Sequence, residues 1–249
     1  MRGVKIWIVL PAYNEADALP LLLDALIEHL EDLSSEFSII VVNDGSVDRT
    51  GAIAEEYAKR GHVIAIHNER NSGLAETLKR GLLAAVERAN ERDVILTMDA
   101  DNTQPAGLAR RLFRVILEGN DVVIASRYRE GSRVRGVPLP RVLLSYGSSW
   151  LFRFFFPTPG VRDFTSGYRA YRASVMKSLV DRYGNEFISE RGFSCMVDIL
   201  LRLRGLNVII AEVPLVLRYD QKPGATKMKV AQTVFDTLRL LVRRRFGVT

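Results

Sequence analysis

The sequence predicts an α/β fold with a mostly parallel central sheet and helices on both of its faces. From the start to about residue 126, short runs rich in Val and Ile alternate with longer stretches of helical spacing. Strands that alternate with helices of this length are typical of parallel sheets covered on two sides. The chain has 249 residues, 47% hydrophobic and 26% charged, which suits one large soluble domain.

Each predicted strand is too short for a helix and is rich in β-branched residues. In chain order the strands are Val4–Leu10, Ser38–Val42, His62–Ile66, Asp93–Met98, Asp121–Ala125 and Val208–Val213. The predicted helices are Leu19–Leu33, Thr50–Lys59, Leu74–Ala89, Ala106–Leu117, 173–182 and 192–204, followed by a basic amphipathic tail over about 230–245. The chain contains no repeat and no low-complexity linker, so we expect a single domain over 1–249.

The composition excludes several classes of protein. The 35 Lys and Arg residues exceed the 29 Asp and Glu residues, and the resulting charge of +6 favours phosphorylated substrates, anionic lipids or polyanions. The basic residues are dispersed and form no recognisable nucleic-acid module, so we expect no nucleic-acid partner. Cys195 is the single cysteine, which excludes a disulfide framework. The three histidines lack metal-ligand spacing, so we expect no histidine zinc site.

Membrane-spanning segments are not predicted either. The apolar run Ile6–Leu10 is too short for a secretory signal and is typical of a strand. The segment Val142–Phe156 is interrupted by small and charged residues, and it is shorter than the ~20 apolar residues that a spanning helix needs. Its aromatic residues, Trp150 and the cluster Phe152–Phe156, either rest at a membrane interface or fill the core, and both interpretations stay open.

Polar segments follow three of the predicted strands, where parallel sheets bind their ligands. These segments are Pro11-Ala12-Tyr13-Asn14-Glu15, Asn43-Asp44-Gly45-Ser46 and Asp99-Ala100-Asp101. Asp99 and Asp101 either reach a divalent cation and a ribose together or form a solvated turn. Asp44 can accept hydrogen bonds from a nucleobase or ribose. No P-loop and no Rossmann glycine motif is present, which argues against kinases, P-loop NTPases and dehydrogenases.

Taken together and in order, these segments resemble the inverting family 2 glycosyltransferases, whose fold is the Rossmann-like GT-A fold. The resemblance is closest to the dolichol-phosphate mannose synthase and polyprenyl-phosphate glycosyltransferase branch. The segments that carry it are Val9–Glu15, Val42–Ser46, Asn71–Leu74, Met98–Asp101, Ser126–Tyr128, Asp163–Arg169, Glu212–Pro214 and Gly224–Lys227. Each segment is common alone, but eight in this order are specific for the family.

The resemblance implies a site for a nucleotide-sugar in the half 1–126 and an acceptor and membrane-interface half over 127–249. The positions that match the base and ribose site are Pro11, Ala12, Tyr13, Glu15, Val42 and Asp44. Asp99 and Ala100 match positions beside the nucleotide and donor sugar, and Asp101 matches the metal-binding aspartate. The implied cofactor is a divalent metal, Mg²⁺ or Mn²⁺.

Arginines of the second half resemble the cluster that meets an acceptor phosphate, namely Arg127 with Arg133 or Arg135. Lys227 resembles the basic residue that closes over the donor diphosphate. Two departures from the family pattern stand at the donor side. Thr103 occupies the usual metal-binding Gln position, with Gln104 one residue later. Gln221 replaces a common arginine, for which Arg218 or Lys222 are the candidate substitutes.

Three hypotheses follow. The first is metal-dependent transfer of a sugar from a donor of the GDP-mannose or UDP-glucose type to polyprenyl or dolichyl phosphate, on the cytoplasmic face of a membrane. The second is transfer to a hydroxyl of a glycan or glycolipid, for which Asp163 and Asp198 are the candidate bases. The third is a non-catalytic nucleotide-sugar-binding partner of a membrane complex. Whether a separate membrane subunit is required stays open.

Overall fold

The computed structural model describes residues 3–33, 35–137, 139–192 and 194–221, with the backbone alone for 139–144, 148 and 221. Nine strands lie within these ranges: β1 Ile6–Ala12, β2 Phe37–Asn43, β3 Val63–His67, β4 Val94–Thr97, β5 Val122–Ser126, β6 Arg133–Arg135, β7 Arg169–Arg172, β8 Ile210–Pro214 and β9 Val216–Arg218. The helices are α1 Leu19–Glu31, α2 Thr50–Lys59, α3 Leu74–Arg88, α4 Leu108–Leu117, α5 Leu139–Phe155, α6 Ala173–Tyr183 and α7 Ser194–Leu203. Short 3-10 turns cover Gly184–Phe187, Arg204–Leu206 and Tyr219–Gln221.

Seven strands form one central sheet in the order β3-β2-β1-β4-β7-β5-β8. Every neighbouring pair is parallel except those that involve β7, which runs antiparallel to both β4 and β5. A second sheet pairs β6 with β9 in parallel, with Arg133 opposite Val216 and Arg135 opposite Arg218. The predicted mostly parallel α/β sheet is confirmed.

Successive side chains of a strand point to opposite faces of the sheet, so the core consists of two layers, one on each face. Ile6, Ile8 and Leu10 of β1 face the layer that contains α1 and α4, whereas Trp7 and Val9 face the layer with α3, α6 and α7. The first of these helices shows why the pattern folds this way. Five of its six leucines recur at three- and four-residue spacing and are buried against the sheet, namely Leu19, Leu22, Leu23, Leu26 and Leu30. Leu21 lies off this face and is 55% exposed.

Residues 127–168 connect β5 to β7 and lie outside the central sheet; this connection is the excursion. It contains β6 and α5. The two strands that bound it pair directly, with Val122 opposite Tyr171 and Ile124 opposite Arg169. The excursion is therefore closed at its base by strand pairing, and it lies at the carboxyl end of β5.

Candidate functional site

The loops after β1 and β2 are joined by hydrogen bonds at the carboxyl edge of the sheet. The backbone N–H of Asn14 donates to the Ser46 hydroxyl at 3.0 Å, and that of Glu15 donates to the Thr50 hydroxyl at 2.8 Å. Asn14 has a positive φ of 53°, a conformation that asparagine tolerates better than most residues. Two of the three polar segments predicted from the sequence therefore form one continuous surface.

Asp44 holds this surface to the start of α3. Its carboxylate is 3% exposed and accepts hydrogen bonds from the Asn68 amide at 2.9 Å, the Ser72 N–H at 2.8 Å and the Gly73 N–H at 2.9 Å. The next residue, Gly45, has a φ of +62°, and a Cβ there would lie 2.5 Å from the Arg70 carbonyl carbon. Asp44 thus shapes the wall of the site, and its direct contact with a nucleobase or ribose stays a prediction.

The other positions predicted for the base and ribose differ in exposure. Pro11, Tyr13 and Glu15 are half-buried at the edge of the sheet. Ala12 and Val42 are buried within the core clusters on the two faces of the sheet. The first three can therefore offer side chains to a ligand, whereas Ala12 and Val42 form the floor beneath it. Their contacts with a nucleotide stay predictions.

The segment Asp99-Ala100-Asp101 follows β4, as predicted, with Ala100 buried as its anchor. Asn102 then adopts a positive φ of 57°, which turns the chain back on itself. As a result the hydroxyl and the backbone N–H of Thr103 both donate to Asp101 Oδ1, at 2.7 and 3.1 Å. Asp101 is therefore held in a fixed orientation at the edge of the site.

Gln104 holds the other aspartate in the same way. Its buried side-chain amide donates from Nε2 to Asp99 Oδ2 at 2.7 Å, and its Oε1 accepts the Asp99 N–H at 3.1 Å. Thr103 and Gln104 thus lie directly behind the two carboxylates. Their direct coordination of a metal stays a prediction.

The oxygen atoms of Asp99, Asp101 and Thr103 are of the kind that a hard divalent cation prefers. Mg²⁺ and Mn²⁺ bind carboxylate and hydroxyl oxygens and commonly keep only one or two carboxylates beside substrate phosphates. Within the described ranges no group of three or more His, Cys, Asp or Glu side chains converges on one point.

Arg127 lies just beyond β5, and a buried carboxylate fixes it. Its Nε and Nη2 donate to the two oxygens of Asp163 at 2.8 and 2.7 Å, and its backbone N–H donates to the same carboxylate at 3.0 Å. Nη2 also donates to the Thr165 hydroxyl. The Asp163 side chain is fully buried, whereas that of Arg127 is 21% exposed. The guanidinium is therefore pre-organised with one edge held inward.

Electrostatics strengthen this pair. Burial raises the pKa of Asp163, but the charge and hydrogen bonds of Arg127 outweigh it, so the pKa lies below its usual value. Asp163 is therefore an ionised partner of Arg127 and a poor proton acceptor. The sequence assigned it as a candidate base because the partner of Arg127 lies 36 residues away. The signal that could have found this role is that a buried carboxylate requires a cation.

Asp198, the other candidate base, is also buried in an ion pair. Its carboxylate accepts hydrogen bonds from the Ser189 N–H at 2.8 Å, from the Ser189 hydroxyl at 3.0 Å and from Arg202 Nε at 3.3 Å. Neither predicted base is therefore presented to a substrate. This arrangement disfavours Asp163 and Asp198 as bases for a hydroxyl acceptor, and that hypothesis stays a prediction.

The small sheet of β6 and β9 carries the other arginines and is linked by its backbone to the loop that follows β4. Arg133 and Arg135 are exposed and share one side of β6 because they are two residues apart. The Arg133 N–H donates to Leu215 O at 3.1 Å, and the Arg218 N–H donates to Thr103 O at 2.9 Å. This backbone link joins the arginine strands to the loop that carries Asp101.

The candidates for binding the donor are Arg218, Lys222 and Lys227, and of these Arg218 lies within the described residues. Arg218 donates from Nε and Nη2 to the exposed Asp220, the latter at 2.8 Å. Lys222, Lys227 and the tail over 230–245 lie outside the described residues. The role of Lys227 at the donor diphosphate therefore stays a prediction.

The aromatic residues of α5 divide between the core and the surface. Phe152 and Phe156 are buried, and Phe152 stacks on Phe164 with ring centroids 5.6 Å apart. Trp150 and Phe154 are 62% and 67% exposed and stack on each other at 5.7 Å. Phe152 and Phe156 therefore fill the core, whereas contact of the exposed pair with a membrane interface stays a prediction. No helix of the described residues is long and apolar enough to cross a membrane.

Comparison with known proteins supports the sequence resemblance. Residues 7–180 match the family model "Glycosyl transferase family 2". The chain is 31% identical to the polyprenol monophosphomannose synthase of Mycolicibacterium smegmatis, over 96% of this chain and 87% of that protein. It is 32% identical to the undecaprenyl-phosphate mannosyltransferase of Micrococcus luteus, over 95% and 93%. Against the dolichol-phosphate mannosyltransferase of Pyrococcus furiosus identity is 30%, over 96% of this chain and 63% of that relative.

Solved structures match at the level of the fold. Glucosyl-3-phosphoglycerate synthase from Mycobacterium tuberculosis, in complex with Mn²⁺, uridine diphosphate and phosphoglyceric acid, superposes with a TM-score of 0.71. Identity is 21%, and the alignment covers 99% of this chain and 80% of that one. Mannosyl-3-phosphoglycerate synthase from Rubrobacter xylanophilus gives a TM-score of 0.68 at 20% identity, over 97% and 74%. The predicted GT-A architecture is confirmed.

Proposed function

We propose that this chain, which belongs to glycosyl transferase family 2, transfers a sugar from a nucleotide-sugar to a polyprenyl phosphate. The observation that carries the proposal is the pairing of a held aspartate motif with a pre-organised arginine at the same edge of the sheet, in Asp99–Asp101 and Arg127. Three relatives at about 30% identity are named for mannosyl transfer to such lipids, which favours mannose as the sugar.

The donor side would stabilise the leaving group. Asp101, with Asp99 beside it, would hold a divalent metal, which would supply positive charge where the departing diphosphate develops negative charge. Thr103 and Gln104 orient the two carboxylates through the hydrogen bonds described above. Pre-oriented ligands need no reorganisation when the donor binds, so their alignment contributes to transfer itself.

The acceptor side would bind the nucleophile. A phosphate oxygen of the lipid forms the new bond to the anomeric carbon, while the bond from that carbon to the diphosphate breaks and its electron pair leaves with the nucleotide. Because the acceptor is already anionic, it loses no proton, and no base is required. This fits a site in which Asp163 and Asp198 are both committed to arginines. Arg127, with Arg133 or Arg135, supplies the guanidinium donors that suit a phosphate.

We place the lipid near α5. The exposed stack of Trp150 and Phe154 lies on the same helix as exposed Arg153. Aromatic rings beside a cation are typical of segments that rest at the interface of anionic membranes. The Tyr128 hydroxyl donates to Ser145 O at 2.9 Å, so this helix is tied to the residue next to Arg127. Peripheral contact through α5 would therefore bring the lipid phosphate close to the arginines.

Replacing Trp150 and Phe154 together by serine is expected to lower binding to vesicles containing anionic lipid by at least roughly tenfold, because two large apolar side chains no longer enter the interface. Cosedimentation with phosphatidylcholine vesicles that contain phosphatidylglycerol measures this. Ile209→Ser is the matched control, since Ile209 is 61% exposed and lies on the edge of the sheet. Equal binding by the double variant and the control would contradict membrane contact through α5.

A transfer assay tests the proposed function. Purified chain with Mg²⁺ or Mn²⁺ is offered GDP-mannose, UDP-glucose or UDP-N-acetylglucosamine, together with a short polyprenyl phosphate. The matched acceptors are the same lipid as a free alcohol, which lacks the anion, and 3-phosphoglycerate, which lacks the lipid. We expect product from the polyprenyl phosphate alone, with one donor preferred. Product from the alcohol would favour the hydroxyl hypothesis, and turnover on none of them would favour a non-catalytic partner.

A further inference from the structure

Glu212 is a nearly buried carboxyl group behind the acceptor side. It belongs to β8 and lies opposite Ile124 of β5 in the register of the central sheet. Its side chain is 8% exposed. Oε1 accepts hydrogen bonds from the backbone N–H groups of Arg162 and Asp163, at 2.6 and 2.7 Å. One oxygen of Glu212 thus fixes two successive peptide groups of the excursion.

One of these two peptide groups belongs to Asp163, whose side-chain carboxylate holds Arg127. Asp163 accepts three hydrogen bonds from Arg127, through its backbone N–H, Nε and Nη2. Asp163 Oδ1 also accepts hydrogen bonds from the backbone N–H groups of Thr165 and Ser166, at 3.2 and 3.0 Å. The position of the guanidinium is therefore set by Asp163, and the position of Asp163 is set by Glu212.

We propose that Glu212 is a positioning residue for the acceptor phosphate, acting through the 162–163 backbone and the Asp163 carboxylate to hold Arg127. The proposal rests on the proposed function for the identity of the ligand. It assigns to the Glu212-Val213-Pro214 segment a role that the family resemblance leaves unspecified.

The energetic cost of burying the Glu212 side chain indicates that this residue has a specific role. Oε2 of Glu212 is buried and has no hydrogen-bond partner among the described residues. Burying a polar atom without a partner is costly, so an aliphatic residue in this strand would be cheaper for packing alone. Burial also raises the pKa of Glu212, and the N–H groups of Asp163 and Arg162 partly offset this. The proposed role uses Oε1 as a hydrogen-bond acceptor, which an amide oxygen can also provide.

Three variants separate geometry from charge. Glu212→Gln keeps the accepting oxygen and removes the ionisable group, whereas Glu212→Leu removes the acceptor at similar size. Glu130→Leu is the matched control, because Glu130 is exposed on the loop that follows Arg127. Two readouts are measured. One is hydrogen exchange at the Arg127 Nε–H, followed by ¹⁵N NMR and assigned from its loss in Arg127→Lys. The other is the pair of KM values for a short polyprenyl phosphate and for the donor.

We expect Glu212→Leu to accelerate exchange at Nε–H and to raise the acceptor KM by roughly tenfold each, with the donor KM unchanged. Glu212→Gln and Glu130→Leu should match the wild type in both readouts. Wild-type exchange and KM in Glu212→Leu would overturn the proposal, as would equal changes in both KM values or a Gln variant as impaired as Leu. If the wild type uses no phosphate lipid, the proposed function fails, while the exchange comparison still decides whether Glu212 positions Arg127.

Discussion

Asp163→Ala should lower the free energy of unfolding by about 3–5 kcal/mol, because it leaves the inward edge of the Arg127 guanidinium without its partner. The same change removes the acceptor of the Thr165 and Ser166 N–H groups, so the turn before β7 loses its hydrogen bonds as well. Urea unfolding measures the loss, and transfer to polyprenyl phosphate should fall with it. Few other single substitutions in the described part of the chain remove as many hydrogen bonds at once.

Asp220→Ala is the matched control for this change. It also removes an aspartate from an arginine pair, but both partners, Arg218 and Asp220, are substantially exposed. Exposed pairs contribute little because solvent screens them and the side chains lose entropy on pairing. Little change in unfolding is therefore expected. Equal losses from the two variants would show that burial of the Asp163 pair does not govern its strength.

The pH dependence of this pair has a definite sign. The pKa of Asp163 is lowered in the folded protein from an ordinary value of 3.8, so its carboxylate stabilises the fold above that pH. The stabilisation is lost as the pH falls from 3.8 to the lowered value, because over this range the unfolded state binds a proton that the folded state does not. The stability deficit of Asp163→Asn should accordingly be constant near neutral pH and shrink below about pH 3.8. A deficit that grows on acidification would contradict the ion pair.

Under the proposed function, Asp101→Ala is expected to reduce kcat for sugar transfer by roughly a thousandfold, because the variant lacks the carboxylate that would hold the charge-stabilising metal. Stability should change little, since Asp101 is half-buried at the edge of the sheet. Mn²⁺-dependent binding of the nucleoside diphosphate, measured by calorimetry, should weaken in parallel. This second readout distinguishes loss of the metal from loss of the fold.

Two further variants complete the Asp101 experiment. Asp101→Asn keeps an oxygen that accepts from Thr103, so it tests charge without disturbing the turn. It should be nearly as inactive as alanine. Asp17→Ala is the matched control, because Asp17 is exposed on the loop before α1. Activity within tenfold of wild type in both Asp101 variants would exclude a metal bound through this residue.

The first half of the fold was predictable because its pattern is local. Five strands and the helices between them were predicted to within a few residues, for example Leu74–Ala89 for α3 at Leu74–Arg88. Buried parallel strands are continuous runs of β-branched residues, and such runs are visible in the sequence. The polar segments at their carboxyl ends were found by the same reasoning.

Strand β7 was missed, although it lies in the middle of the sheet. It reads Arg-Ala-Tyr-Arg, and its Arg169 is fully buried, donating to Met196 O and Phe164 O at 2.7 Å each. Because a charged residue occupies a buried position, the strand lacks the hydrophobic pattern by which strands are predicted. Pairing with β4 and β5 stabilises it, and pairing between distant segments is not encoded by local spacing.

At the candidate site, the sequence indicated which segments lie at the carboxyl edge of the sheet, but not which side chains bind one another there. Asp101 and Arg127 lie at the carboxyl ends of β4 and β5, and their roles stay predictions. Asp163 was a candidate base for a hydroxyl acceptor alone, and its pairing with Arg127 was not predicted. Gln104 was placed among metal positions, yet its amide binds Asp99 through both of its polar atoms. Which side chain meets which depends on backbone turns such as that at Asn102, and a single sequence does not specify those contacts.

The excursion between β5 and β7 has a consequence for how this enzyme class diversifies. Its two ends are already held side by side by strand pairing, so chain closure does not depend on what lies between them. Lengthening a closed loop costs only about 0.6 kcal/mol for each doubling of its length. Insertions and deletions within it can therefore accumulate while the sheet stays intact. Under the proposed function, the acceptor can change in evolution while the loops after β1, β2 and β4, which lie outside the excursion, are kept.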